Sequence, residues 1–297
     1  MNFIKALTLS LGEIDKPVIT RYQLGLIVHS LYQTKKYNGE LLGIHKDAAD
    51  GRDFNKYLNQ LLDNGLLNEP RGMPGSVYTL LGNTRWETED VACTVDPFCY
   101  ISHLSAMSYH GLTDRIPSKL FISSPGAKEW KAFAVDQMKR DLKESYDVYR
   151  HSGLPILSRV EMKKIGKKEI HCIHSKHLGA YKIVRGRNIK VATIGRTFME
   201  MLKSPGLCGG INHVLEVFDE HAKKYLRLIT DEIDRNGNNM DKVRAGYIIE
   251  ERIGIKNETV ESWVQFAQRG GSRKLDASAE YYPEWSDKWC VSINVFE

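Results

Sequence analysis

Between Arg52 and Leu67 the chain reads RDFNKYLNQLLDNGLL, and Phe54, Tyr57, Leu58, Leu61 and Leu62 recur at i, i+3, i+4, i+7 and i+8. That spacing puts one apolar stripe on a helix and leaves Arg52, Asn55, Lys56, Asn59 and Gln60 on its other face. Asp53 is placed to cap the start, and Gly65 to supply the left-handed residue that stops it. Two short strand-like runs follow at 66–68 and 77–80, joined by a Pro/Gly-rich turn that holds Arg71.

Upstream, FIKALTLSL and TRYQLGLIVHSLY each carry helical periodicity, the second with Thr20 as its N-cap. The polar stretch 34–50 between them and the third helix is longer than a compact three-helix module needs. Helix, helix, helix, β-hairpin is the order of a winged helix-turn-helix, whose last helix enters the major groove while the wing touches the backbone. On that pattern Arg52, Asn55, Lys56, Asn59 and Gln60 face base edges and phosphates, and Arg71 sits on the wing. The same order also serves protein-protein modules. Residues 1–85 hold ten Lys and Arg against eight Asp and Glu. So small an excess is weak for a protein whose DNA affinity rests on neutralised phosphates, and calls for dimerisation or a second basic region.

A length of 297 residues suggests two domains. Hydrophobic content of 42% with 27% charged residues is that of a globular chain, which excludes wholesale disorder. No window approaches a membrane span, and MNFIKALTLSLGEIDKP lacks a small-residue cleavage site. With five scattered cysteines this points to reduced thiols in a cytoplasm, away from membranes. The net charge of +5 is concentrated: residues 150–203 hold thirteen Lys and Arg against three Asp and Glu. Residues 86–96 are acidic and poorly periodic, so a boundary is expected near 82–89, with domains at 1–85 and 90–297. In the second, SKLFIS, YDVYRH, EIHCIHS, YKIVRG and IKVATI read as strands, RTFMEMLKS and GINHVLEVFDEHAKKYLRLITDEID as helices, and KWCVSINVF as a last alternating strand. The expected class is α/β (α+β), a winged helix-turn-helix followed by a mixed α/β domain.

Chemistry-bearing clusters are few. HCIHSKH holds His171, Cys172, His174 and His177, but no second Cys/His pair of metal-site spacing exists, so neither a metal nor a cofactor is expected. Ser102, His103, Ser105 and His110 have no acid placed to orient a base, which favours packing and capping roles. Glu250 and Glu251, in EERIGIK, match poorly the acid pair and short-spaced lysine of a nuclease-like site. No catalytic residue is assigned. In QRGGSRKLD the glycines stand after a helix-like run, whereas a phosphate cradle sets them before a helix N-terminus. Gly270 and Gly271 therefore read as a cap and turn, with Arg269, Arg273 and Lys274 left for ion pairs or solvent.

Four stretches, YISHLSAMSYHGLTDRIP (100–117), IGRTFMEMLKSPGLCGG (194–210), RAGYIIEERIGI (244–255) and QRGGSRKLDASAEYYPEWSDKWCVSINV (268–295), follow the N-terminal pattern in a fixed order. Together they resemble the AbiEi family, antitoxins of type IV abortive-infection toxin-antitoxin systems. The resemblance implies a winged helix that binds inverted-repeat operator DNA and represses its own operon, followed by an antitoxin domain. It also implies a nucleotidyltransferase-like toxin encoded alongside, with no direct complex assumed. Arg52, Asn55, Lys56, Asn59, Gln60 and Arg71 become the DNA-contacting positions, and Arg269, Arg273 and Lys274 fall in the antitoxin domain. Two other classes stay open: a C-terminal enzyme acting on the toxin or its substrate, and an interaction module docking an acidic partner through 150–203.

Overall fold

Local signals set the first elements of the computed structural model, which describes residues 1–82, 87–175, 178–270 and 273–295. The chain begins with α1 (Phe3–Gly12), β1 (Val18–Thr20) and α2 (Arg21–Thr34). The Thr20 side chain accepts from the Gln23 amide while the Gln23 side chain accepts from the Thr20 amide, so α2 starts at a capping box. A small hairpin, β2 (Lys36–Tyr37) and β3 (Glu40–Leu41), uses part of the long polar stretch. Then come α3 (Gly51–Asp63), β4 (Leu67–Asn68), β5 (Val77–Leu80) and α4 (Thr88–Val95). The cap of α3 is Asp50, with Asp53 at the third helical position returning the bond, and Lys46 Nζ reaches both carboxylates at 2.7 and 2.6 Å. Asp53 is thus the partner of the cap. The three-stranded sheet runs β1-β5-β4, antiparallel throughout, pairing Val18 with Thr79 and Leu67 with Leu80.

Next follow β6 (Tyr100–Ile101), α5 (His103–Tyr109), β7 (Lys119–Pro125), α6 (Ala127–Leu142), α7 (Tyr146–His151), β8 (Lys164–Ile165) and β9 (Lys168–Ser175). The chain continues through β10 (Tyr181–Ile183), β11 (Lys190–Ala192), α8 (Ile194–Lys203), α9 (Ile211–Asn236), α10 (Asn239–Gly246) and α11 (Glu258–Ser262). This is an α+β protein. It divides into two compact units that are not consecutive in sequence. The first comprises Met1–Cys99, Ser124–Lys176 and Arg185–Ile189, the second Tyr100–Ser123, His177–Val184 and Lys190–Glu297.

Packing explains why the first unit does not stop at residue 85. Phe3 and Leu7 of α1, Leu24 and Val28 of α2, and Phe54, Leu58 and Leu61 of α3 share one core with Met138, Leu142, Tyr149 and Leu154. The Tyr22 hydroxyl donates to Asp141 at 2.8 Å, and a Cβ on Gly25 would lie 2.5 Å from the Tyr149 hydroxyl. The boundary expected near 82–89 runs into the start of α4, whose buried Val91 and Ala92 belong to the first unit; residues 83–86 lie outside the described residues. YDVYRH is α7 and not a strand. Its buried residue is Tyr149, a one-sided pattern where a strand would alternate.

His29 shares this interface. One ring nitrogen, Nε2, lies 3.1 Å from the Ser145 hydroxyl, and the ring meets Tyr149 edge-on at 5.2 Å. Burial pushes its pKa below the ordinary 6.5, so the neutral ring is the form that fits the fold. A depressed folded-state value gives stability that is present above pH 6.5 and is lost as pH falls through the folded value. The melting temperature of the first unit is expected to hold from pH 8 to 7 and to drop as pH falls below 6.5. A His29→Gln variant should show a shallower drop in calorimetry.

In the second unit the sheet runs β10-β11-β6-β7, with Val191 parallel to Ile101 and Tyr100 antiparallel to Ser123. Helices α8 and α9 pack closely because Gly195 has no side chain: a Cβ there would stand 2.1 Å from the Leu228 carbonyl oxygen. Phe198, Met201, Phe218, Ile229 and Trp263 fill the core. KWCVSINVF is not a continuous strand. Trp289 and Val291 are buried, but Cys290 takes a left-handed φ of 50°, which breaks the extended run, and Ser292 makes isolated bridges to Lys274 and Trp285. Among the described residues no helix is long and apolar enough to cross a membrane.

Candidate nucleic-acid interface

The buried stripe of α3 dictates what its other face shows. With Phe54, Leu58 and Leu61 inside, Arg52, Asn55, Lys56 and Asn59 are exposed and Gln60 is half-buried. Arg52 to Asn59 spans two turns, about 10 Å of helix surface. Asn55 Oδ1 accepts from Arg21 Nη2 at 3.1 Å, and the Arg21 guanidinium lies 5.0 Å from the centroid of the Phe54 ring. Arg21 therefore adds a cation from the first turn of α2. Arg21 is not among the candidates legible in the sequence, although its place directly after the Thr20 cap is a usable signal.

Arg71 is exposed in the turn between β4 and β5, followed by Gly72 at φ 79°. The other end of that turn is fastened to α2, because the Arg21 amide donates to the Ser76 carbonyl at 3.3 Å. The start of α3 is fixed by close backbone approach: a Cβ on Gly51 would come within 2.9 Å of the Gly153 carbonyl oxygen. The exposed helix face is thus tied to the first turn of α2 through Asn55 and Arg21, and α2 to the hairpin turn through Ser76. Arginine and lysine there suit phosphate oxygens, and the asparagines carry the paired donor and acceptor that an adenine edge requires.

The C-terminal candidates have different employment. Arg273 Nη1 donates to the Phe266 carbonyl at 2.9 Å and Lys274 Nζ to the Ala279 carbonyl at 2.6 Å, so both hold the turn together. Arg269 is exposed, 3.9 Å from Asp287. Gly270, at φ 121°, is not the helix cap, which is Ala267 directly after the helical turn Trp263–Phe266; Gly271 lies outside the described residues, as does His177. A cavity of about 330 Å³ is lined by Arg269, Arg273, Tyr281, Trp285 and Ser292.

The stretches that looked conspicuous in sequence meet in pairs inside the second unit. Glu200 accepts the Tyr100 hydroxyl and the His103 amide, each at 3.0 Å, and the Arg196 Nε–H at 3.3 Å, while Arg196 Nη1 lies 3.5 Å from Glu232. His103 Nδ1 is 2.9 Å from Ser102 Oγ and 3.9 Å from Glu200. Both of these partners stand on the same ring nitrogen, whereas a triad sets acid and nucleophile on opposite ring nitrogens. Ser105 Oγ accepts the Phe121 amide, and His110 Nε2 lies 2.7 Å from the Ala192 carbonyl oxygen. Likewise Arg244 Nε donates to the Lys274 carbonyl, Glu250 accepts from Lys288 and the Trp289 indole, and Glu251 accepts from Ser286. In the first unit, His174 Nδ1 is 2.9 Å from Arg159 Nη2 and 3.9 Å from the Cys172 sulfur.

No protein-family model matches this chain, and no curated protein matches it. Among solved structures, the crystal structure of the RV2827C protein from Mycobacterium tuberculosis aligns over 97% of this chain and 89% of its own, with TM-score 0.50 and 11% sequence identity. That likeness is one of fold.

Proposed function

We propose that residues 1–80 form a winged helix-turn-helix that binds inverted-repeat operator DNA, and that the protein is the autorepressing antitoxin of a type IV toxin-antitoxin system. The observation that carries the DNA half is the connectivity α1-β1-α2-β2-β3-α3-β4-β5 with sheet order β1-β5-β4, a winged-helix order with a small hairpin inserted before α3, in which the polar face of α3 and Arg71 are both exposed. The antitoxin half rests on the resemblance of the four C-terminal stretches to AbiEi antitoxins. It is supported by their pairwise bonding within one unit, Tyr100 and His103 to Glu200, and Arg244 to Lys274. The cognate toxin would be a nucleotidyltransferase-like neighbour, and an inverted repeat would engage two copies, one per half-site.

The two halves are tested separately. Lys56→Ala with Asn59→Ala alters two exposed residues, so the fold should persist while the preference for operator over scrambled duplex falls by at least tenfold, as each lost base-reading contact is worth about 1–3 kcal/mol. The same variant, co-expressed with the toxin, should still restore growth. Retention of full operator preference in a gel-shift titration would remove α3 as the reading helix, and failure of the wild-type chain to rescue growth would remove the antitoxin assignment.

A further inference from the structure

The basic block at 150–203 was left without a role by the α3 surface, and its densest part is RVEMKKIGKKE, residues 159–169, with five cations and two acids. It folds as the β8–β9 hairpin, pairing Lys164 with Glu169 and Ile165 with Lys168 across a two-residue turn of Gly166 and Lys167. Gly166 has φ 60°, the left-handed value that a tight hairpin turn asks of its first central residue. Ile165 is fully buried and anchors the hairpin, while Lys163, Lys164 and Lys167 are exposed. Lys163 has an acidic neighbour, Glu161 at 3.5 Å, and that pair is open to solvent, with about four-fifths of both side chains exposed.

The position of this hairpin gives it a meaning. Its turn is bonded to the turn that carries Arg71: the Gly166 amide donates to the Gly72 carbonyl at 3.0 Å, and a Cβ on Gly72 would lie 2.8 Å from the Gly166 carbonyl oxygen. Two glycines let two hairpin tips touch backbone to backbone, and the residues beside them, Arg71 and Lys167, are both exposed cations. Both hairpins belong to the first unit. The Arg71 turn, tied to α2 through Ser76, is therefore extended by Lys167, Lys164 and Lys163.

We infer that the β8–β9 hairpin is a second wing, which lays Lys163, Lys164 and Lys167 on the phosphate backbone of duplex DNA beyond the segment read by α3. This rests on the DNA-binding reading of α3. Lysines contribute charge and not sequence recognition, so the second wing supplies affinity that the near-neutral residues 1–85 lack, without changing the operator read.

The test is the salt dependence of binding of the full chain to the duplex upstream of its own gene, by fluorescence anisotropy, for wild type and for Lys163→Ala/Lys164→Ala/Lys167→Ala. Each phosphate contact contributes about 0.9 to the slope of log affinity against log salt, so the triple variant should lose about 2–3 from that slope. Between 50 and 200 mM salt its affinity should then fall about fortyfold less than that of wild type. Its preference for operator over scrambled duplex should stay at the wild-type value. A wild-type slope in the triple variant would overturn the second wing and leave the α3 reading standing. Absence of any wild-type binding would overturn both, and loss of operator preference in the triple variant would overturn the backbone-only role.

Discussion

Glu200→Ala is expected to destabilise the second unit by about 3–5 kcal/mol, the cost of removing one partner from a buried ion pair. The carboxylate is buried and does three jobs at once. It accepts the Tyr100 hydroxyl and the His103 amide and faces the buried Arg196 guanidinium. Alanine takes one carboxylate from the desolvated Arg196 guanidinium, leaving Glu232 at 3.5 Å from it, and removes the acceptor that holds His103 at its left-handed φ of 50°. Glu200→Gln keeps an oxygen acceptor and should recover part of the loss. Amide hydrogen exchange in α8 and α9 reads this unit separately. Protection lowered by less than about tenfold, near 1.4 kcal/mol, would show that the network is not what secures the unit.

A fragment of residues 1–85 is expected not to fold. It contains every helix and strand of the proposed DNA-binding module, yet lacks Met138, Leu142, Tyr149 and Leu154, which complete its core. Full burial of each such side chain is worth about 1.5–3 kcal/mol, so the four together carry about 6–12 kcal/mol as an upper bound. Domains are stable by only about 5–15 kcal/mol. The fragment also loses the Asp141 acceptor of Tyr22 and the Gly153 backbone against which α3 begins. Circular dichroism should show no cooperative melt and anisotropy no specific DNA binding. A sharp melt with full-length affinity would mean that α6 and α7 merely decorate the module.

The elements read correctly from sequence were those whose signal is local. The Thr20 cap, the stripe of Phe54, Leu58 and Leu61, and the glycine-broken hairpin each settle their conformation within a few residues. By contrast, β1 is three residues long and exists because Val18, Ile19 and Thr20 find β5, sixty residues on. The boundary at 82–89 followed a composition shift, but α4 is buried and Tyr149 returns to the first core from far along the chain. YDVYRH looked like a strand because Tyr and Val favour sheets; the single buried side chain in it favoured a helix. At the candidate site the exposed face of α3 was legible, being whatever the apolar stripe leaves over. Arg21 and the Gly72–Gly166 contact were not, because both depend on which segments meet. The same holds for Glu200, nearly a hundred residues from His103.

The shared core of the first unit also has a timetable. Residue 80 closes its last N-terminal strand, but the side chains that cover α2 arrive between Met138 and Leu154. At about 5–20 residues per second, a ribosome takes roughly 4–15 seconds to cross those 74 positions. For that interval Leu24, Val28 and their neighbours are complete in sequence and uncovered in space. A newly made chain therefore carries this apolar face open to solvent until Met138 to Leu154 emerge to cover it.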